Sequence, residues 1–273
     1  MGAAMTTTQG KPSVPAVTRA ARVLDVVSVS PGGMTVSEIA RAIGAPKSSC
    51  LAVCTTLVAT GLLTRSDAGE YRLGWKVVEL GRAYLAQSDL TTEFRRVDAE
   101  LGLLAEDTVV LSLLDGREVL YVHTRAGSRP VAVRYEIGGR LPAHCTASGK
   151  AMLATFAPEE VMRRYADGRF DVLTPYSIGS AADLSRELDD VRRRRYAIDD
   201  EESALGMICL GAAITGPAGP VGAVSLSMVK AAVGADRAQH VAESLLALAQ
   251  AMSARLGGLV PASTRVEAPV LRV

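Results

Sequence analysis

Residues 35–63 read TVSEIARAIGAPKSSCLAVCTTLVATGLL, and the punctuation inside this run decides the fold of the first third of the chain. Thr35, followed three residues later by Glu38, is a capping box that opens a helix. Val36, Ile39, Ala40 and Ile43 make its apolar face. Gly44 supplies a left-handed turn to end it, and Pro46 suits the first turn of a second helix, where a missing N–H costs nothing. That second helix carries Leu51, Val53, Cys54, Leu57 and Val58 as its apolar stripe and stops at Gly61. Cys54 is expected as a small buried hydrophobe, with Cys50 at the edge of the helix contact.

Working outward, VTRAARVLDVVSVS upstream has helical apolar spacing and ends at Pro31-Gly32-Gly33. Downstream, LLTRSDAGEYRLG reads as strand, turn, strand. Three helices followed by a hairpin are the order of a winged helix-turn-helix. In that arrangement the third helix meets the major groove and the hairpin lies along the backbone. The candidate DNA contacts are Thr35 and Ser37 at the start of the bracing helix, Lys47, Ser48 and Ser49 on the reading helix, and Arg65 and Arg72 on the wing. A lysine neutralises a phosphate, and hydroxyls reach phosphate oxygens or base edges.

Charge is divided along the chain. Residues 1–88 hold nine Lys/Arg against five Asp/Glu, a net of +4, and residues 89–273 hold 21 against 24, a net of −3. A small basic head on an acidic body suits nucleic-acid binding by the head alone. The apolar runs are too short to cross a bilayer, and the first residues contain no signal-like apolar segment. The expected location is cytoplasmic, with no membrane partner. The four cysteines, Cys50, Cys54, Cys145 and Cys209, are scattered and read as free thiols.

LGWKVVELGRAYLAQSDL continues as a linker helix over 75–88, whose apolar side is expected to pack on a second chain. Beyond it the rhythm changes. TVVLSLL-DGR-EVLYVHT is a hairpin around Asp115-Gly116. VAVRYEI alternates as a strand, with Val131, Val133, Tyr135 and Ile137 on one face. ASGKAMLATF, PEEVMRRYA and ADLSRELDDVRRRR are helical. MICLGAAI and VGAVSLSMV are paired strands joined by TGPAGP, and DRAQHVAESLLALAQAMSARLGG is a closing helix. The fold class is α+β. Its parts are a disordered arm over 1–14, a winged head over 15–74, the linker, a sensor-like sheet domain over 89–257, and a flexible tail over 258–273.

The chain resembles the IclR-type bacterial transcriptional regulators. The matching stretches are TRAARVLDVV, TVSEIARAIGAPKSS, TLVATGLL and YRLG in the head. In the body they are GGRLPAHCTASGKAMLA, LTPYS, RRYAIDDEE, GMICLGAAI and VGAVSLS, so that residues 15–257 are covered. The resemblance implies a GAF-like C-terminal domain that binds a small effector. It also implies dimers or dimers of dimers on double-stranded operator DNA, with repression the commoner behaviour. Its effector pocket maps onto Ala147 and Ser148 in the HxxxxGK loop, Asp199 at the start of DDEE, Cys209 on one strand, and Ser225 and Ser227 on the other. Independently, Ser225 and Ser227 are two apart, so both hydroxyls face one side of a strand. The helix starting near residue 148 offers free N–H groups to an anion, which points to an organic or aromatic acid. Three positions depart from the family pattern. Ala52 stands where the reading helix usually has Arg, Arg195 replaces a helix-ending Gly, and Ala213 replaces a Pro after the cysteine strand. A left-handed Arg195 would cost on the order of 1 kcal/mol.

Other constellations weigh less. ASGKA lacks the leading glycine of a phosphate loop. The Arg192–Arg195 run reads as a solvated helix end. His123 and His240 read as ordinary strand and helix residues, and no catalytic set, metal site or cofactor is expected. The competing reading is a thiol- or metal-responsive regulator built on Cys50/Cys54 or on Cys145 with Cys209.

Overall fold

The structure is a computed structural model, and it describes residues 14–87, 89–129, 135–258 and 269. The arm, most of the tail and the Val131–Val133 part of the expected strand lie outside these residues. The chain divides into two compact units between Gln87 and residue 88.

In the first unit, α1 (Pro15–Ser28), β1 (Met34–Thr35), α2 (Val36–Ile43) and α3 (Lys47–Ala59) lead into β2 (Leu63–Arg65), β3 (Glu70–Leu73) and α4 (Lys76–Gln87). The capping box forms in both directions. Glu38 N donates to Thr35 Oγ1 at 3.4 Å, and Thr35 N donates to Glu38 Oε2 at 2.8 Å. These bonds hold the Glu38 carboxyl below its usual range. Gly44 ends α2 at φ 64°, and the chain turns so that α2 and α3 are bent by 113°, within the helix-turn-helix range. Pro46 sits one place earlier than expected, as the residue before α3. The wing is a three-stranded sheet in the order β1-β3-β2, its β1 strand not anticipated.

The core of this unit joins Val23 and Val27 of α1, Ile39, Ala40 and Ile43 of α2, Leu57 of α3, and Leu63 and Tyr71 of the wing. It corrects the reading of α3 in two places. Cys50 is fully buried beside Cys54, not at an edge, and Leu51 is 43% exposed, not part of the buried stripe. The inward face runs Cys50, Cys54, Leu57, spaced four and three apart, and Leu51 lies outside that row.

The second unit begins with α5 (Asp89–Leu101), which the sequence reading left unassigned. Next come β4 (Val109–Asp115), β5 (Glu118–Arg125), β6 (Arg140–Pro142), α6 (Ala147–Leu153), α7 (Pro158–Arg164) and α8 (Ala181–Arg194). The chain closes with β7 (Ala197–Asp200), β8 (Met207–Gly216), β9 (Gly219–Val229) and α9 (Ala235–Arg255). Six antiparallel strands form one sheet in the order β6-β5-β4-β9-β8-β7. Tyr135–Ile137, expected as strand, leads into a turn at Gly138. Among the described residues the edges of the sheet are β6 and β7.

Helix α6 lies across β8 and β9. It comes so close that a Cβ on Gly211 would sit 2.6 Å from the carbonyl carbon of Ala147. Met152 and Leu153 of α6, Leu184, Leu188 and Val191 of α8, and Val110 and Ala223 of the sheet share one core. Helix α9 buries Val241, Leu245, Leu248 and Met252 and packs on β8 and on α5. The arginine run is less solvated than expected. Arg192 Nε donates to Ala154 O at 3.0 Å, and Arg194 pairs with Glu187 at 2.6 Å. Arg195 does take the left-handed conformation, at φ 67°, as the cap of α8.

One buried ion cluster fixes α6. Lys150 is fully buried. Its Nζ donates to Ile198 O and Glu202 Oε1 and lies 3.4 Å from Glu187. These carboxylates hold the ammonium pKa up against burial. Burial in turn raises Glu202 to about 7.

This packing makes three substitutions informative. Arg195→Gly relieves the left-handed strain and stabilises the chain by about 1 kcal/mol, read as a rise in Tm. The Glu202 proton is held more tightly in the folded chain than in the unfolded one. Stability from this group is therefore full below pH 4.5 and is lost as pH rises through about 7. Urea midpoints of Glu202→Gln should lose that part of the pH dependence. Lys150→Met, which strands the buried carboxylates, should cost about 3–5 kcal/mol.

Candidate functional site

Two surfaces carry the chemistry, one in each unit. On the first unit, α3 turns Lys47, Ser48, Leu51, Ala52, Thr55 and Thr56 to solvent. Their spacing places them on one face, opposite Cys50, Cys54 and Leu57. Of the expected contacts, Lys47 and Ser48 are exposed and Ser49 is half-buried. Thr55 and Thr56 were missed. Their only sequence signal was their spacing of four and eight residues from Leu51, Ala52, Lys47 and Ser48. The Thr56 hydroxyl donates to Ala52 O at 3.0 Å.

The other expected contacts divide. Ser37 is half-buried at the start of α2. The Thr35 hydroxyl is engaged with Glu38, donating to Oε2 at 2.8 Å. Arg72 donates to Gly32 O at 2.8 Å and pairs with Glu70 at 3.3 Å, so the wing uses it as a tie to the loop after α1. Arg65 is exposed and lies over the Tyr71 ring at 5.6 Å. Beside the α2–α3 turn, Arg19 and Arg22 of α1 line a cleft with Gly44 and Pro46. They are two further cations that the sequence reading did not single out.

In the second unit, all six expected effector residues line one cavity of about 180 Å³. The sheet register explains how they meet. Asp199 pairs with Cys209, and Cys209 with Ser227, so three side chains form a row across β7, β8 and β9. Ser225 pairs with Gly211 one step along, on the same face of β9. Because Gly211 has no side chain, the start of α6 sits directly over it and brings Ala147 and Ser148 to the wall. Thr146 caps α6 by accepting from Gly149 N at 3.3 Å.

The polar groups of this cavity fall into two sets. One is already satisfied. Asp199 Oδ1 accepts from Glu202 N at 2.8 Å and Ser203 N at 3.1 Å, and Oδ2 from the Ser203 hydroxyl. Burial nonetheless raises its pKa. Cys209 Sγ lies 2.9 Å from Ser227 Oγ, which also bonds the Tyr135 hydroxyl. The second set is open. Tyr121, Ser148 and Ser225 line the cavity and are at most 9% exposed. Their hydroxyls make no hydrogen bond to another described residue. Tyr121 and Tyr135 meet edge to face with centroids 5.3 Å apart. The two tyrosines went unread as site residues; Tyr121 lies on a strand whose alternation marks only which residues share a face.

The four thiols are buried. Burial pushes Cys54 and Cys145 up to about 12 and Cys209 well above the usual thiol value. Buried neutral thiols of this kind are inert. Cys50 and Cys54 sulfurs lie 4.0 Å apart, twice a disulfide length. His144 Nε2 bonds Asp171 O at 3.0 Å, and its ring packs against Tyr165 and Phe170. Burial lowers its pKa. Among the described residues no group of three or more His, Cys, Asp or Glu is placed to hold a metal, and no single helix is long and apolar enough to cross a membrane.

Comparison with known proteins finds a match for each unit. Residues 16–67 match the IclR helix-turn-helix domain, and residues 82–254 match the bacterial transcriptional regulator IclR C-terminal domain. The chain is 26% identical to the transcriptional repressor IclR of Escherichia coli, over 94% of this chain and 95% of that protein. The crystal structure of Thermotoga maritima IclR superposes with a TM-score of 0.68 at 28% identity, covering 88% of this chain and 98% of that one. An IclR homolog from Microbacterium hydrocarbonoxydans complexed with 4-hydroxybenzoate shares the fold, with a TM-score of 0.69 at 22% identity, over 88% of this chain and 99% of that one. The chain belongs to the IclR family of bacterial transcriptional regulators.

Proposed function

We propose that the chain is a repressor that binds a two-fold operator as a dimer or dimer of dimers. A small organic or aromatic acid in the β8–β9 cavity changes its operator affinity. The observation that carries this reading is the cavity itself. It has room for one small ring, since a cavity of about 150 Å³ takes benzene. Its three open hydroxyls, Tyr121, Ser148 and Ser225, are buried donors that gain partners only when something polar enters. The tyrosine pair offers ring edges to a flat ligand.

On the DNA side, α3 contributes the reading face and Arg65 the wing contact. Lys47 is the only charge on the exposed face of α3, so base readout rests on Ser48, Thr55 and the apolar Leu51 and Ala52, which suit thymine methyl groups. Arg19 and Arg22 add phosphate contacts at the start of α3. Ligand binding acts by favouring one arrangement of paired heads over another.

Titration of the upstream DNA of its own gene at several salt concentrations tests the first half. Lys47→Ala and Arg65→Ala should each weaken binding and reduce the salt slope by about one. Unchanged slopes would place the interface elsewhere. For the second half, 4-hydroxybenzoate and short aliphatic acids serve as probes in a thermal-shift series. Tyr121→Phe and Ser225→Ala should each weaken the responding acid roughly threefold to tenfold. A ligand whose affinity ignores both changes would not occupy this cavity.

A further inference from the structure

Asp199 is a carboxylate in the wall of the β8–β9 cavity and is 1% exposed. Among the described residues it is the one charged group that lines the cavity, and no Lys, Arg or His stands there with it. Glu202 N, Ser203 N and the Ser203 hydroxyl all donate to it, the set of partners that an ionised carboxylate takes.

The ammonium that acts on Asp199 is already engaged. Lys150 of α6 is fully buried and does not line the cavity. It donates to Glu202 and Ile198 O and lies 3.4 Å from Glu187. Glu187 in turn pairs with Arg194 at 2.6 Å. Two cations thus stand against three carboxyl groups, Glu187, Glu202 and Asp199. The other titratable groups that face Asp199 are Tyr121 and Tyr135, Cys145 of the turn before α6 and Cys209 of β8, all kept neutral by burial.

A second carboxylate brought into this space meets Asp199 out of water, with no cation between them. Two carboxyl groups so placed do not both stay ionised; they share a proton. Burial already pushes Asp199 above the usual carboxylate range in the free chain. The open hydroxyls of Tyr121, Ser148 and Ser225 can donate or accept, so they serve a neutral carboxyl group as well as an anion.

We infer that an acid entering this cavity is bound together with one proton, taken from solvent and shared between the ligand carboxyl group and Asp199. The inference rests on the acid effector proposed above and fixes the protonation state in which the site takes it. Asp199 thereby sets specificity. A carboxylic acid is accepted, and a sulfonate of the same shape, which stays ionised, is refused. The complex holds one proton more than its separated parts. Affinity therefore falls as pH rises, about tenfold per pH unit wherever both carboxyl groups are ionised before they meet.

Calorimetry of the full chain with benzoate, in buffers of different ionisation heat between about pH 7 and 8, counts the proton. The expected result is uptake of about one proton per benzoate bound. Benzamide, the uncharged isostere, should bind with no uptake and no pH dependence, and benzenesulfonate should not bind. Asp199→Asn, which keeps an acceptor for the two N–H groups, should bind benzoate without uptake and with the pH dependence gone. Glu202→Gln removes the neighbouring carboxyl that titrates at about 7, and the uptake should remain. Benzoate binding without proton uptake overturns this inference alone, as does benzenesulfonate binding as tightly as benzoate. Uptake that persists in Asp199→Asn, or vanishes in Glu202→Gln, overturns it too. Absence of benzoate binding overturns the acid-effector reading and this inference with it. If Asp199→Asn does not fold, the benzoate and benzamide titrations of the parent chain decide.

Discussion

The second unit depends on a lysine that never reaches water. Lys150 is the centre of a cluster in which α6, α8 and the end of β7 are tied through Glu187, Glu202 and Ile198 O. An isolated ammonium in such a place would be prohibitive, and so would Glu202 and Asp199 without it. Each therefore requires the others, and the strands and helices that carry them must arrive together. The cluster contributes little net stability compared with apolar packing of the same volume. It contributes register, because only one placement of α6 lets the ammonium meet all its partners.

That placement makes the cavity. With α6 held by Lys150 and its start lying over Gly211, the helix cannot slide down to cover the open hydroxyl of Ser225. Asp199 faces the same problem from the other side. Its oxygens are filled by Glu202 N, Ser203 N and the Ser203 hydroxyl, so the 201–204 loop is pinned as a wall and does not collapse inward. Thr174 and Ser177 brace that loop from outside, through Glu201 O at 2.6 Å and Glu202 O at 2.6 Å. The satisfied polar groups frame the site, and the unsatisfied ones face into it.

Much of this was legible in the sequence, and the limits have physical causes. The capping box, Gly44 and the Asp115-Gly116 turn are local devices, and each appears as read. Ser225 and Ser227 share a face because strand alternation is also local, and the resemblance supplied their partners on other strands. What failed depended on the third dimension. Leu51 was placed inside because a leucine at helical spacing invites it, yet the inward row passes through Cys50 instead. Arg72, expected at DNA, also ties the wing to Gly32 O, a partner that no local signal announces. Lys150 was dismissed with its failed phosphate loop, and its burial follows only once β7 and α8 are in position. Tyr121 and Tyr135 reach one cavity from segments whose sequence gives no hint of their meeting.

The recognition helix shows how one element meets two demands at once. Its buried side needs small residues, because α1 and α2 both press against it. Two cysteines and a leucine fill that row without forcing the helices apart. Its exposed side needs chemistry, yet it holds one charge, two apolar residues and three hydroxyls. An arginine at position 52 would serve both as phosphate anchor and as base reader. With alanine there the two tasks separate. On the proposed reading, anchoring moves to cations outside α3, to Arg65 on the wing and to Arg19 and Arg22 beside the Gly44–Pro46 turn. Reading stays on α3 and becomes a matter of hydroxyls and methyl contacts. Those contacts discriminate less strongly than a bidentate arginine on guanine. On the same proposed reading, more of the specificity then comes from the spacing of two heads on one operator, the quantity that a ligand in the second unit would change.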